Sequence, residues 1–499
     1  MMSIIRSRNI FLEKKISQYY TIANMIGWNY EINENNFVDE SCLCGIEKDY
    51  ALSKLALKIS EILQKIIPEV NVTNENHDLI VIAEENCIRA LTLFLAHFQD
   101  YLSSHIIALL KESVNIHLMR FYDVFKAKYK NVLDIGSKVV GITIIGYTDD
   151  NKHIGNVDVL LRERGIEIVY FCNSMNSYKN LKKRICNLSC LVFVAHPIYY
   201  AYISKVKVLL STNTPLPLQK MENLSTKIVH LGHNFNEALQ YTLWRTDEEF
   251  VFKSLKRERL ERCHYVVAHT KNDYKVLQKT CEYFNIDEDR ILKGGNPSLD
   301  WTLHKYKESA RLKEKENKRY LLLAPSYLEN FLGDCQIVSI LEQIMDMGIF
   351  LVIRPHPLYI QRDCMKYHGI LDDWSRKYSN FKIDDSQKYF NEYLINSFTL
   401  LTDESSMGVS YPYFTLRPSL IYIKEARRKG IGIDGIRLYN ASLNILIDDF
   451  NELRKNILKL SSRGGGDENS NIIQKIRDQQ VYNLMNSSCY LSNLIEKML

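Results

Sequence analysis

Four short clusters place histidine, arginine, serine and aspartate directly after apolar runs. The first is Lys227-Ile-Val-His-Leu-Gly-His-Asn-Phe235. His233 falls just past a β-branched run, and a histidine there can accept a proton from an alcohol because its pKa lies near working pH. A loop histidine with a structural hydrogen bond leaves the same trace, and His230, inside the run, reads as packed. The second cluster is Val352-Ile-Arg-Pro-His-Pro-Leu358. Two prolines stiffen the turn around His356, and both Arg354 and His356 can point to a phosphate. The third, Leu400-Leu-Thr-Asp-Glu-Ser-Ser-Met-Gly408, reads as strand end, polar loop and helix start. Hydroxyls and backbone N–H groups at such a start form an anion site, which assigns Ser405 and Ser406 to it; the same residue types are ordinary helix caps. The fourth is Gly295-Asn-Pro-Ser-Leu-Asp300. Asp300 can orient a base or a donor group there, and a plain turn is the alternative. His196-Pro197 is a weaker candidate for acceptor contact.

Something must hold these clusters in place. Short β-branched runs at 139–147, 166–171, 190–195, 206–210, 228–231 and 265–268 alternate with helical stretches, including 157–164 and 179–187. Such alternation implies a parallel sheet covered on both faces. Gly294-Gly-Asn-Pro297 reads as a turn cluster, and the charged stretch 305–319 as a linker helix or a surface face. The pattern then restarts with strands at 320–324, 350–353, 381–383, 399–401 and 420–423 and a helix at 337–347. The expected division is a helical accessory region at 1–130, one strand-helix domain at 131–300, a second at 301–465, and a final stretch at 466–499 that includes one helix over 472–499 packing back. In open parallel sheets, ligands bind at the carboxyl ends of strands, so the four clusters point to a cleft.

Composition narrows the function classes. The 499 residues are 46% apolar and 25% charged, which suits a globular chain with sizeable cores. A net charge of +5 is too small and too dispersed for a dedicated nucleic-acid binder. The basic runs Lys253–Arg262 and Lys424–Lys429 still allow an anionic partner, such as lipid headgroups, with a solvated helix face as the default for the first. The most apolar long stretch, 79–98, is interrupted by Glu84, Glu85 and Arg89. With no signal-peptide pattern at the N-terminus, the expectation is a cytoplasmic protein whose membrane contact, on the inner face, is peripheral. Eleven cysteines without zinc-finger spacing read as reduced core residues.

Taken in order, the clusters resemble the CDP-glycerol glycerophosphotransferase family, the teichoic-acid and capsule polymerases. That family's patterns are Trp-His-Gly, Gly-Tyr-Pro-Arg-Asn-Asp, Ala-Pro-Thr-Tyr-Arg, Arg-Pro-His-Pro and Thr-Asp-Tyr-Ser-Ser. They correspond here to Leu231-Gly-His-Asn, Gly295-Asn-Pro-Ser-Leu-Asp, Ala324-Pro-Ser-Tyr-Leu, Arg354-Pro-His-Pro and Thr402-Asp-Glu-Ser-Ser. The likeness covers roughly residues 225–460. It implies an α/β fold of GT-B type, with two Rossmann-like parallel-sheet domains facing a cleft, beside the N-terminal helical region. It also implies transfer of a polyol phosphate from a cytidine-nucleotide donor to a hydroxyl of a glycan or lipid-linked acceptor, with release of CMP. On that reading His233 is the general base, His356 a donor-phosphate ligand and Asp300 a further catalytic residue. Arg354, Ser405, Ser406, Asp403 and Ser326 bind the donor, and no metal, cofactor or nucleic acid is required. The chain departs from the pattern at four positions. Asn234 replaces a glycine, Leu328 and Ser298 replace arginines, and Ser410 replaces an aspartate. The departures leave room for a CMP-sugar glycosyltransferase and for a non-catalytic scaffold, and an isomerase of GT-B fold is the remaining reading.

Overall fold

The computed structural model describes residues 138–144, 151–172, 191–193, 206–212, 225–243, 247–310, 319–356, 360–386, 390–423, 432–462 and 469–499. The expected helical region 1–130, the helix at 179–187, His196-Pro197 and the basic run 424–429 lie outside these residues. The chain divides into two compact units, which are described separately.

The first unit contains strands β1 (Val139–Ile144), β2 (Glu167–Cys172) and β3 (Leu191–Phe193). They form a parallel ladder with β2 central; Val139 lies opposite Glu167, and Tyr170 opposite Leu191. Val139, Val140 and Ile142 are fully buried, as expected for a strand covered on both faces.

The second unit begins with two short helices, α1 (Asn151–Ile154) and α2 (Val157–Glu163). Four parallel strands follow in the spatial order of the chain: β4 (Val208–Ser211), β5 (Lys227–His230), β6 (Tyr265–Val267) and β7 (Ile291–Leu292). Between them run α3 (Glu237–Gln240), α4 (Glu248–Leu255) and α5 (Lys271–Phe284). Next comes α6 (Pro297–Ala310). The fourth cluster is therefore a helix start rather than a turn. Asn296 Oδ1 accepts the Leu299 N–H at 2.7 Å, and Pro297 occupies the first helical position, where its missing N–H costs nothing.

A six-stranded parallel sheet completes the unit. Its strands are β8 (Tyr320–Leu323), β9 (Phe350–Ile353), β10 (Phe381–Ile383), β11 (Ser397–Thr402), β12 (Ser419–Tyr422) and β13 (Asn444–Ile447). The spatial order is β10-β9-β8-β11-β12-β13. The chain winds one way from β8 to β10 and the other from β11 to β13, so the loops after β8 and β11 diverge. Helices α7 (Glu329–Leu332), α8 (Cys335–Asp346), α9 (Ile360–Lys366), α10 (His368–Lys377) and α11 (Glu392–Asn396) connect the first strands. Helix α12 (Ser406–Thr415) follows β11, and α13 (Phe450–Ser461) follows β13. Ile337, Leu341 and Ile344 of α8 and Leu453 and Ile457 of α13 join one core under the sheet, each at helical spacing. The expected α/β architecture with two parallel sheets, the GT-B plan, is present.

Helix α12 is central rather than superficial, since seven of its ten residues are buried. Pro412 lies inside it and cannot donate to the carbonyl of Gly408. That oxygen instead accepts Ser419 Oγ–H at 2.8 Å and Asn444 Nδ2–H at 3.0 Å. Two polar side chains from β12 and β13 thus replace the missing helical bond. Among the described residues, no helix is long and apolar enough to cross a membrane.

The expected single C-terminal helix is two, α14 (Ser470–Gln480) and α15 (Ser487–Met498). Nothing in the intervening sequence is a usual helix breaker; the break comes from tertiary partners. Val481 bridges Thr270, and the Tyr482 N–H donates to His269 O at 3.0 Å. Asp300 Oδ1 accepts the Met485 N–H at 2.7 Å and Oδ2 the Ser487 N–H at 2.5 Å. Asn483 and Met485 adopt left-handed conformations between these anchors. Asp300→Ala should lower the thermal unfolding midpoint by several degrees, because the buried Ser487 N–H and the part-buried Met485 N–H lose their acceptor, at about 1–3 kcal/mol for the buried one. An unchanged midpoint would show that Asp300 does not hold this loop.

Candidate active site

The loop after β5 carries His233 and is pinned from below by His269, which follows β6. His269 Nε2–H donates to Leu231 O at 2.8 Å, and its Nδ1 accepts the Asn236 N–H at 3.1 Å. These two bonds require the Nε2–H tautomer. Gly232 abuts the Cε1–Nε2 edge of the imidazole: with φ of +87°, a β-carbon there would come within 2.5 Å of His269 Cε1. Only glycine permits both that backbone and that approach. The His269 N–H is taken by Asp273 Oδ2 at 3.1 Å, and Asp273 Oδ1 accepts the Ala238 N–H at 2.9 Å. Burial raises the Asp273 pKa, although His269 opposes the shift.

His230 is the last residue of β5 and is fully buried. Its Nε2 lies 2.5 Å from Glu237 Oε2, and Arg259 Nη2 donates to Glu237 Oε1 at 2.8 Å. Burial disfavours charge on Glu237, but His230 and Arg259 hold its pKa well below the usual range. Burial lowers the His230 pKa against the pull of Glu237. This buried trio fixes the start of α3, directly after the His233 loop.

On the facing sheet, Arg354 follows β9 and is gripped at two points. Its Nε donates to Asp384 Oδ2 at 2.6 Å, and its Nη2 to Asn391 Oδ1. Asp384 follows β10; burial works against its charge, yet Arg354, Ser386 and Asn391 keep its pKa below the ordinary value. Ser405 is the N-cap of α12, with Oγ 3.4 Å from the Met407 N–H. That is a long, weak cap, which leaves the hydroxyl able to turn toward a ligand.

A cleft of about 1090 Å³ within the second unit brings these elements together. His233, Arg354, His356, Ser405 and Ser406 all line it. One histidine comes from the β5 end, whereas the arginine, second histidine and serines come from the ends of β9 and β11. Two helix N-termini border the cleft, that of α6 through Asn296 and Ser298 and that of α12 through Ser405 and Ser406. Their partial positive charge and the Arg354 guanidinium suit an anion. Among the described residues, no group of three or more His, Cys, Asp or Glu side chains is placed to hold a metal ion.

Three of the residues expected at the site are not among those lining the cleft. Asp300 spends both oxygens on the 485–487 loop, and burial pushes its carboxyl pKa up to about 6. Asp403 accepts the Ser326 N–H at 2.8 Å and Asn330 Nδ2–H at 2.6 Å. It ties the loop after β8 to the end of β11, and Ser326 belongs to that tie. The geometry gives all three a supporting place.

Other residues contribute that the sequence reading passed over: His153, Asn296 and Asp384 line the cleft, while His269 and Asn391 support it. His269 and Asp384 directly follow strands, so the strand-end criterion applied to every strand would have found them. Of the four departures, Asn234, Ser298 and Ser410 line the cleft, whereas Leu328 is buried at 1% exposure. In the basic run on α4 and the turn after it, Lys253, Lys256, Arg257 and Arg259 each pair with a glutamate.

Arg354→Lys keeps the charge but cannot reach Asp384 and Asn391 with one planar fork. Calorimetric titration with inorganic pyrophosphate should show about tenfold weaker binding, or ~1.4 kcal/mol. Wild-type affinity in the variant would remove Arg354 from the anion site.

Comparison with known proteins agrees with the order of clusters. The model of the CDP-Glycerol:Poly(glycerophosphate) glycerophosphotransferase family matches residues 149–464. No curated protein matches the chain. Among solved structures, the UDP-GlcNAc 2-epimerase from Neisseria meningitidis bound to UDP-GlcNAc is similar at 15% identity and a TM-score of 0.48, covering 72% of this chain and 100% of its own. A putative UDP-N-acetylglucosamine 2-epimerase from Listeria monocytogenes is similar at 15% identity and a TM-score of 0.47, covering 72% and 96%. Anabaena Alr3699/HepE in complex with UDP and glucose follows at 9% and 0.43, covering 72% and 100%. The family match spans well over half of the 499 residues, and the chain belongs to the CDP-glycerol:poly(glycerophosphate) glycerophosphotransferase family.

Proposed function

We propose that this transferase moves a polyol phosphate from a CDP-activated donor to an acceptor hydroxyl and releases CMP. The carrying observation is the shared cleft, with His233 on one wall and Arg354, His356, Ser405 and Ser406 on the other. In this reading the donor pyrophosphate lies at the α12 N-terminus. Arg354, His356 and the two serine hydroxyls contact its oxygens. His233 accepts the proton as the acceptor oxygen attacks the phosphorus remote from cytidine. A new oxygen–phosphorus bond forms, the bridging bond to the inner phosphate breaks, and CMP leaves with the electron pair. Positioning and charge neutralisation account for most of the acceleration in such a transfer. Helix dipoles and a fixed guanidinium supply both without reorganising during the reaction.

The acceptor would be a hydroxyl on a glycan or a lipid-linked chain of a cell-surface polymer, met by a cytoplasmic protein at the inner face of the membrane.

Titration with CMP, CDP, UDP and GDP should show selective binding of the cytidine nucleotides, weakened in His356→Ala. His233→Ala and His356→Ala should each reduce CMP release at least about 100-fold, with the thermal midpoint preserved. Near-normal turnover in either variant would reject that residue's role. CMP release with a glycosidic rather than a phosphodiester product would replace polyol-phosphate transfer by CMP-sugar transfer. A folded protein that binds no nucleotide would favour a scaffold.

A further inference from the structure

We propose that His153 is a positioning residue that sets the orientation of His233, an inference that rests on the role given to His233 above. His153 lies on α1 and lines the same cleft. It meets His233 in two independent ways. The two imidazoles stack, with centroids 4.5 Å apart and planes 21° from parallel. His153 Nδ1 also lies 3.1 Å from the backbone oxygen of His233. A carbonyl oxygen only accepts, so this bond requires the proton on Nδ1. One side chain thus restrains both the backbone and the ring of a residue 80 positions away.

A general base acts only when its lone pair is aimed within hydrogen-bond reach of the proton it removes. A base on a loop has two side-chain torsions to restrain, and a third group that orients it is a recurrent solution. Stacking opposes rotation of the His233 ring, and the hydrogen bond opposes rotation of the peptide beside it.

His153 can do this only if it is itself fixed. A four-residue helix cannot hold its own shape, and three tertiary anchors hold this one. Gly155, at φ of +55°, packs so tightly on the first turn of α6 that a β-carbon would lie 2.4 Å from Pro297 O. The Asn156 N–H donates to Ser488 Oγ of α15 at 3.4 Å. Arg164, just past α2, pairs with Glu496 of α15 at 2.9 Å. Helix α15 begins at the loop that Asp300 captures. The restraint on His233 therefore runs back to the C-terminal helix and to α6, which itself lines the cleft through Ser298, Leu299 and Thr302.

The test uses the full chain, labelled with ¹⁵N in histidine, and three variants. His153→Phe keeps a stacked ring and loses the donor. His153→Asn keeps an N–H at similar reach and loses the ring. His153→Ala loses both. Long-range imidazole spectra should show His153 as the Nδ1–H tautomer and a displaced His233 ring signal in His153→Ala. The displacement should be partly restored in the Phe variant. CMP release from CDP-glycerol should fall about 100-fold in kcat for His153→Ala, with the donor KM nearly unchanged and partial recovery in Phe and Asn. A His233 signal that does not move in His153→Ala, or an Nε2–H tautomer at His153, overturns the proposal. So does a wild-type kcat in folded His153→Ala. If wild type releases no CMP, the proposed reaction fails by itself, and the spectra still decide whether His153 orients His233.

Discussion

One buried imidazole, His269, organises the wall of the cleft that carries His233. Its two ring nitrogens hold Leu231 O and the Asn236 N–H on either side of His233, and its Cε1–Nε2 edge abuts Gly232. Its backbone N–H goes to Asp273, and its backbone oxygen receives the Tyr482 N–H. A ring offering one donor and one acceptor in a fixed plane can close a loop that no sheet ladder reaches. Because both groups are used and the ring is fully buried, exchange for an apolar residue would leave buried polar backbone without partners. The C-terminal segment is anchored through the same residue, so loop geometry and the end of the chain are coupled.

The opposite wall depends on topology. Strand order reverses between β8 and β11, which separates the loops that follow them and opens space at the carboxyl ends of the strands. Helix α12 starts at that opening and points its N-terminus into it. The Gly408 carbonyl, orphaned by Pro412, is satisfied by Ser419 and Asn444 of β12 and β13. Those bonds tie the helix to its sheet. The N-terminal end of the helix is held in place because its interior is bonded to strands.

Arg354 shows the same principle in a side chain. Its guanidinium lines the cleft while Asp384 and Asn391 hold its fork. A cation that is already oriented loses little freedom when a phosphate arrives. The substitutions relative to the family pattern fall mostly where ligand would lie, at Asn234, Ser298 and Ser410. Family membership therefore describes the frame better than it describes the lining of the cleft.

Periodicity and composition determined the α/β class, the two parallel series and nearly all strand positions, because buried parallel strands are continuous apolar runs that need no distant partner to be recognised. Motif order determined the family, and the strand-end criterion located His233, Arg354, His356, Ser405 and Ser406. Only the tertiary structure decided what each polar residue faces. Asp300 and Asp403 are carboxylates at strand or helix ends like any catalytic candidate, yet their oxygens go to backbone and amide donors distant in sequence. The break between α14 and α15 was equally hidden, since it is imposed by Asp300 and His269 and not by a local breaker. His153 lies 80 residues from the histidine it stacks on. Helix and strand propensities act over neighbouring residues, whereas hydrogen bonds and ring contacts are settled by whichever groups the fold brings within about 3 to 5 Å.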